Sequence, residues 1–162
     1  MSRRRQVAVI GSGTCEEGSE TWRMAEEVGR GLAEAEAVVV CGGLGGVMEA
    51  AARGAAAARG EVIGVVPGDS VEHANPHCTH VIATGIGHAR NLAVVASGEA
   101  VIAVGGEWGT LSEIGFARRL GRTVVALRSW RAVGEGAMAE APGVVPARSA
   151  GEAVGAALGA LA

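Results

Sequence analysis

Two rhythms alternate along this chain. Short runs that are apolar throughout are separated by longer stretches whose apolar positions recur every three to four residues. Gln6 to Ile10, Ala37 to Cys41, Glu61 to Val66, Thr79 to Ala83, 100 to 104 and Thr123 to Leu127 read as strands. Ser19 to Ala35 reads as a helix, with Trp22, Ala25, Val28 and Leu32 on one face and Arg23, Glu26, Glu27, Arg30 and Glu34 elsewhere. Gly45 to Arg59 is an alanine-rich helical stretch closed by Gly60, and His88 to Ser97 a short one ended by Gly98. In the stretch 109 to 120, Leu111, Ile114, Ala117 and Leu120 mark the predicted inner face. Residues 67 to 78 read as a loop and 128 to 148 as irregular, with Gly143 to Val145 a short edge strand. The last helix opens on a capping box, Ser149-Ala-Gly-Glu152, and is expected to bury Val154, Ala157, Leu158 and Leu161.

Strands without an exposed face, joined by helices, predict a parallel sheet covered on both sides. The fold class expected is therefore a doubly wound α/β domain, spanning residues 1–162 as one unit. The many Ala and Gly residues predict closely packed helices and suggest a helical subunit interface. Sheets of this kind bind ligands beyond the carboxyl ends of their strands, near a topological switch point.

Composition narrows the chemistry. All 14 basic residues are Arg, and there is no lysine. A Walker A phosphate loop and a pyridoxal phosphate Schiff base are both excluded, and any cationic contact must come from Arg or His. The net charge of −3, with one Phe, three Trp and no Tyr, gives no footprint for nucleic acid. No apolar run is long enough to span a membrane and no signal-peptide pattern opens the chain, so a cytoplasmic protein is expected. The widely spaced Cys15, Cys41 and Cys78 fit reduced thiols. His73, His77, Cys78 and His80 match no standard zinc spacing, and no metal site is assigned.

Four glycine-bearing loops fall at predicted carboxyl ends of strands: Gly11-Ser-Gly-Thr-Cys-Glu-Glu-Gly18, Gly42-Gly-Leu-Gly-Gly46, Gly85-Ile-Gly-His88 and Gly105 to Gly109. The first begins like a dinucleotide fingerprint, but position 16 is Glu and the second strand ends in Cys41 where a ribose-binding acid is expected. Ser12 and Thr14 remain as hydroxyl donors. The fourth loop combines Gly105, Gly106 and Gly109 with Thr110 and Glu113, so backbone N–H groups at a helix start can meet an anion. Thr110-Leu-Ser-Glu113 is also a capping-box pattern, which would give Glu113 a purely structural task.

Three segments carry a resemblance: Gly42-Gly-Leu-Gly-Gly-Val-Met-Glu-Ala50, Thr84-Gly-Ile-Gly-His-Ala-Arg-Asn91 and Gly105-Gly-Glu-Trp-Gly-Thr-Leu-Ser-Glu113. Together they resemble the Lonely Guy (LOG) superfamily, in particular its short branch that includes the molybdenum-cofactor carrier protein. The likeness covers roughly residues 6 to 127, in unchanged order.

It implies a Rossmann-like nucleotide-binding fold, a dimer or tetramer with the ligand site near a subunit interface, and a small phosphorylated ligand. That ligand would be a nucleotide or a molybdopterin-type molecule, with no cofactor required. The residues implied to contact it are Gly11, Ser12, Gly42, Gly43, Gly45, Gly46, Thr84, Gly85, Arg90, Asn91, Gly105, Gly106, Gly109, Thr110 and Glu113. LOG enzymes hydrolyse nucleoside 5′-monophosphates to base and ribose 5-phosphate, and their catalytic Arg and Glu fall on Arg90 and Glu113. Two positions depart from the LOG signature: Gly105 replaces its proline, and Glu107 replaces its second glycine. A carboxylate at 107 would repel a phosphate unless it points away or holds a divalent ion.

Overall fold

The computed structural model describes residues 3–129 and 142–162. Seven strands, β1 (Gln6–Gly11), β2 (Val38–Cys41), β3 (Val62–Val66), β4 (His80–Ala83), β5 (Ala100–Val104), β6 (Thr123–Leu127) and β7 (Val144–Ala147), form one sheet. Its order is β4-β3-β2-β1-β5-β6-β7, and every pairing is parallel. The helices are α1 (Glu20–Glu34), α2 (Val47–Ala57), α3 (Arg90–Ser97), α4 (Trp108–Arg119) and α5 (Ala150–Gly159), with single 3-10 turns at Val71–His73 and Gly87–Ala89. This is the doubly wound α/β architecture that the alternation of rhythms predicts.

The strands are all-apolar because both faces are covered. One core packs Val7, Val9, Val39 and Ile102 under α1, α2 and α5; the other packs Ala8, Ile10, Val40 and Val101 under α3 and α4. Alternate residues of one strand thus serve opposite cores. The two edge strands are the exceptions: β4 alternates between exposed and half-buried residues, and the middle two residues of β7 are exposed.

Helix α1 buries Trp22, Ala25, Val28 and Leu32 as predicted, and Gly29 with them. Its Ser19 cap accepts the Trp22 N–H at 3.2 Å. In α5 the predicted face is only partly right. Ala150, Ala153 and Ala157 are buried, whereas Val154, Leu158 and Leu161 are half-buried along the flank. The small side chains let α5 lie close to the sheet, and the longer ones reach sideways over the core. The predicted edge strand is β7, parallel to β6, starting one residue later and ending two residues later than the sequence pattern marks; residues 130–141 of the predicted irregular stretch lie outside the described residues.

The strand order reverses beside β1, whose neighbours are β2 and β5. Their loops therefore leave in opposite directions and open a crevice at the carboxyl ends, which is where such sheets place ligands.

Candidate functional site

A cavity of about 270 Å³ fills this crevice. Val9, Ile10 and Gly11 of β1 form its floor, with Gly13 and Thr14 beyond them. The turn after β2 supplies Gly42 and Leu44, and the first turn of α2 supplies Met48. The loop before α3 and its first residues bring His88, Arg90 and Asn91, the N-cap of α4 brings Glu107, and the first turns of α4 bring Gly109, Thr110 and Glu113.

The inner face of α4 puts Thr110 and Glu113 there. Its buried residues are Thr110, Glu113, Ile114 and Ala117, an i, i+3, i+4, i+7 stripe whose first half is polar. The sequence pattern marks Leu111 and Leu120 in that stripe; the structure leaves Leu111 half-buried and Leu120 43% exposed. The face is rotated because its first turn looks into the cavity and only its second turn looks into the core. Thr110, Glu113 and Arg90 are the only buried polar or charged residues among those described.

Glu113 is 9% exposed, and burial pushes its pKa up to about 7, with Arg90 pulling in the opposite direction. Arg90 is 6% exposed, and burial lowers its own pKa, opposed by Glu113 and Cys41. Its guanidinium is held by the fold: Nε donates to the Val65 carbonyl at 2.9 Å, Nη2 to the Gly42 carbonyl at 3.3 Å and Nη1 to Asn91 Oδ1. Three of the five guanidinium N–H groups are thus engaged by the fold, and Nη2 also reaches Met48 Sδ at 3.9 Å. Arg90 offers a fixed charge.

Glu107 alters the predicted anion loop. It is the N-cap of α4 and forms a capping box with Thr110, whose hydroxyl accepts the Glu107 N–H at 3.3 Å. The box therefore runs from 107 to 110, one turn before the 110-to-113 pattern, and Glu113 does not cap the helix. The Glu107 carboxylate accepts from Ser12 Oγ at 2.8 Å and Thr14 Oγ1 at 2.6 Å, and these hydrogen bonds hold its pKa below the usual carboxylate range. It points toward the first loop, onto the two hydroxyls read as ligand donors. Two residues earlier, the Gly105 N–H is spent on the Leu127 carbonyl at 3.0 Å. The run of amides expected from 105 to 110 is thus shortened to the first turn of α4.

Of the remaining predicted contacts, Gly11, Gly42, Arg90, Asn91, Gly109, Thr110 and Glu113 converge on the cavity. Ser12 stands behind it, on Glu107. Gly43, Gly45, Gly46, Thr84, Gly85, Gly105 and Gly106 are not among its lining residues. Gly46 has φ 63°, and a Cβ there would lie 2.3 Å from the Ser12 carbonyl, so it lets the first two loops touch. Thr84 donates its hydroxyl to the Val66 carbonyl at 2.8 Å and closes the end of β3. Leu44 and Met48 are the apolar wall that motif reading passes over; their place in the turn after a β2 glycine pair is the signal that could have found them. Trp108, a candidate stacking residue, is 77% exposed. No cluster of metal-ligating side chains occurs among the described residues.

A match described as the SLOG cluster4 family spans residues 4–154. The chain belongs to the SLOG cluster4 family. An uncharacterized protein of Archaeoglobus fulgidus is 46% identical over 123 residues, 76% of this chain and 80% of that one. The molybdenum cofactor binding protein of the phototrophic bacterium Rippkaea orientalis superposes with a TM-score of 0.87 at 27% identity, over 100% of both chains. The molybdenum cofactor carrier protein of Chlamydomonas reinhardtii gives 0.85 at 28% identity, over 98% of this chain and 99% of that one. The short-branch resemblance read from the three motifs is therefore shown. Every residue that lines the cavity lies inside the SLOG cluster4 match.

Proposed function

We propose that this SLOG cluster4 protein binds a phosphorylated, nucleotide-like ligand in the crevice between β2, β1 and β5, with a molybdopterin-type cofactor the leading candidate. The observation that carries the reading is the pairing of buried Arg90 with buried Glu113 on the wall of an otherwise apolar-floored cavity. Burying two ionisable groups is costly, and such groups cluster where a ligand uses them. The full-length structural likeness to a molybdenum cofactor binding protein and a carrier protein supports the ligand class.

The residues fit such a group in part. Amides of the first turn of α4 and the Thr110 hydroxyl, which keeps its own proton to donate, would meet a phosphate. Arg90 would neutralise it from one side, worth about 1.5–3 kcal/mol for a hydrogen bond to a charged group. Glu113 would accept from ribose hydroxyls or from the N–H edge of a pterin or purine. At about 270 Å³ the cavity seats one end of such a ligand, leaving the rest against Glu107 and the exposed Trp108. The ligand's own chemistry, metal-centred in a molybdopterin-type molecule, is not supplied by these side chains. A dimeric or tetrameric assembly, with a neighbouring copy completing the crevice, belongs to the same proposal.

Calorimetry of the purified chain against a molybdopterin-type ligand, nucleoside monophosphates and dinucleotides tests it. Binding lost in Arg90→Ala and Glu113→Gln is expected; no heat with any of the three would overturn the reading. A second reading, nucleoside 5′-monophosphate phosphoribohydrolase, draws on the Glu113 carboxyl standing near neutral pKa beside Arg90. There Glu113 would orient the ribose and stabilise positive charge growing at the anomeric carbon. Chromatography for free adenine after incubation with AMP separates the two: release abolished in Glu113→Gln favours the enzyme, and binding without release favours the carrier.

A further inference from the structure

Two of the three cysteines meet behind the cavity wall. Cys41 ends β2 and is fully buried, while Cys78, two residues before β4, is half-buried against the same core. Cys41 is registered opposite Gly64 on β3. Paired residues of a parallel ladder project to the same face, from strands about 4.8 Å apart. A Cβ on Gly64 would lie 2.6 Å from Cys78 Sγ and 3.3 Å from Cys78 Cβ. The Cys78 sulfur thus occupies the space a side chain at 64 would fill, beside the side chain of Cys41. The two thiols shift each other: Cys78 pushes the Cys41 pKa up and Cys41 pulls the Cys78 pKa down.

Asn75 holds this arrangement from the loop side. Its N–H donates to the Gly43 carbonyl at 2.7 Å and its side-chain amide to the Leu44 carbonyl at 3.0 Å, and it contacts Cys78 Sγ at 3.6 Å. The turn that follows Cys41 and the loop that carries Cys78 are therefore tied together without any covalent link.

We propose that Cys41 and Cys78 are a reversible dithiol–disulfide pair, oxidised by a peroxide or a low-molecular-weight disulfide. Cys78 is the attacking sulfur: it is the accessible partner, and its pKa is lowered by Cys41 while Cys78 and burial raise that of Cys41. With a peroxide, the Cys78 sulfur attacks one oxygen and the O–O bond breaks, giving a sulfenic acid and one water. The Cys41 sulfur then displaces the sulfenic hydroxyl, which leaves as a second water with the Cys41 proton. Two thiols have lost two hydrogens and two electrons, and the peroxide has gained them. With a disulfide oxidant, a mixed disulfide on Cys78 is resolved by Cys41, releasing the second thiol. Linking them brings the sulfurs to about 2.05 Å. Cys41 precedes Gly42, whose carbonyl accepts from Arg90, so the bond would stiffen one wall of the cavity.

The test is peptide mapping of the full chain after hydrogen peroxide or oxidised glutathione, with alkylation of remaining thiols. The expected result is a linked 41–78 peptide, lighter by two hydrogens, and a fall in free thiols from three to one that dithiothreitol reverses. Cys15→Ser should form the same link, and Cys41→Ser should leave Cys78 as a persistent mixed disulfide. Mapping that finds Cys78 capped or over-oxidised while Cys41 stays a free thiol, or Cys15 in the link, overturns the proposal. Because the wild-type chain decides, failure of a variant to fold changes nothing, and no ligand is needed for the reading.

Discussion

Arg90 lowers the Glu113 pKa without offering Glu113 its hydrogen bonds. Its Nε and Nη2 go to the Val65 and Gly42 carbonyls and its Nη1 to Asn91, so its effect on the carboxyl is through space. Burial pushes the other way and dominates, leaving the carboxyl at about 7. Replacing Arg90 by Gln removes the opposing charge. The Glu113 carboxyl should then titrate higher still, read from its side-chain carbon shift in an NMR titration. An unchanged or lower midpoint would show that the two groups are not electrostatically coupled.

Glu113 should also make stability fall with rising pH. Its folded pKa of about 7 lies above the ordinary 4.5, so the folded state binds the extra proton between those values. Below about pH 4.5 the group is protonated in both states and contributes no penalty. Above about pH 7 the whole penalty is present, on the order of 3 kcal/mol from about 1.36 kcal/mol per pKa unit. Glu113→Gln is expected to be more stable than the parent at pH 8 and to converge with it near pH 4, in urea denaturation at both values. A gap that is constant with pH would contradict the burial argument. If the same variant loses ligand binding, stability and function are opposed at this one side chain.

Glu107 sets what the first and fourth loops accept. Its carboxylate takes the Ser12 and Thr14 hydroxyls, and those bonds keep it ionised down to acid pH. A phosphate approaching the start of α4 meets that charge. Glu107→Gln keeps a hydrogen-bonding oxygen and removes the repulsion, so inorganic phosphate should bind several-fold tighter, more so at low salt. Competition against a chromophoric nucleotide would measure it. Weaker phosphate binding in the variant would instead mean that Glu107 helps to hold the anion, as through a divalent ion.

Much of this architecture is visible in the sequence because strand cores and helix stripes report burial directly. Trp22, Ala25, Val28 and Leu32 repeat at helical spacing, and the bounds of β1 to β6 shift by a residue at most. What periodicity misread is the inner face of α4. Leu111 and Leu120 look like core positions, but the cavity gives the stripe to Thr110 and Glu113, and no apolar count can reveal that a polar residue faces inward. Glycine motifs identified the loops but not which glycines reach the cavity. Gly42 and Gly109 line it, whereas Gly43, Gly46 and Gly105 shape turns and ladder ends. Glu107 stood out as a departure, yet its partners Ser12 and Thr14 lie more than ninety residues away and only the fold brings them together.

The packing of α1 on α2 makes one substitution change sign with position. At Gly29 a Cβ would sit 1.9 Å from the Ala51 carbonyl oxygen and 2.7 Å from its carbon, both backbone atoms. Gly54 meets the Glu26 carbonyl at 1.9 Å from the opposite helix. Neither backbone can rotate away as a side chain could, so the helices must separate along the most extensive helix–helix contact in the fold. Overpacking of this kind costs about 1–3 kcal/mol or more, outweighing the gain of about 1 kcal/mol that Ala brings to a helix over Gly. Gly155 lies in α5 with nothing within 4 Å of a Cβ. Gly29→Ala should therefore lower the melting temperature and Gly155→Ala raise it, the latter by the equivalent of about 0.5–1 kcal/mol. Thermal unfolding followed by circular dichroism reads both. Equal signs would show that the α1–α2 approach is looser than described.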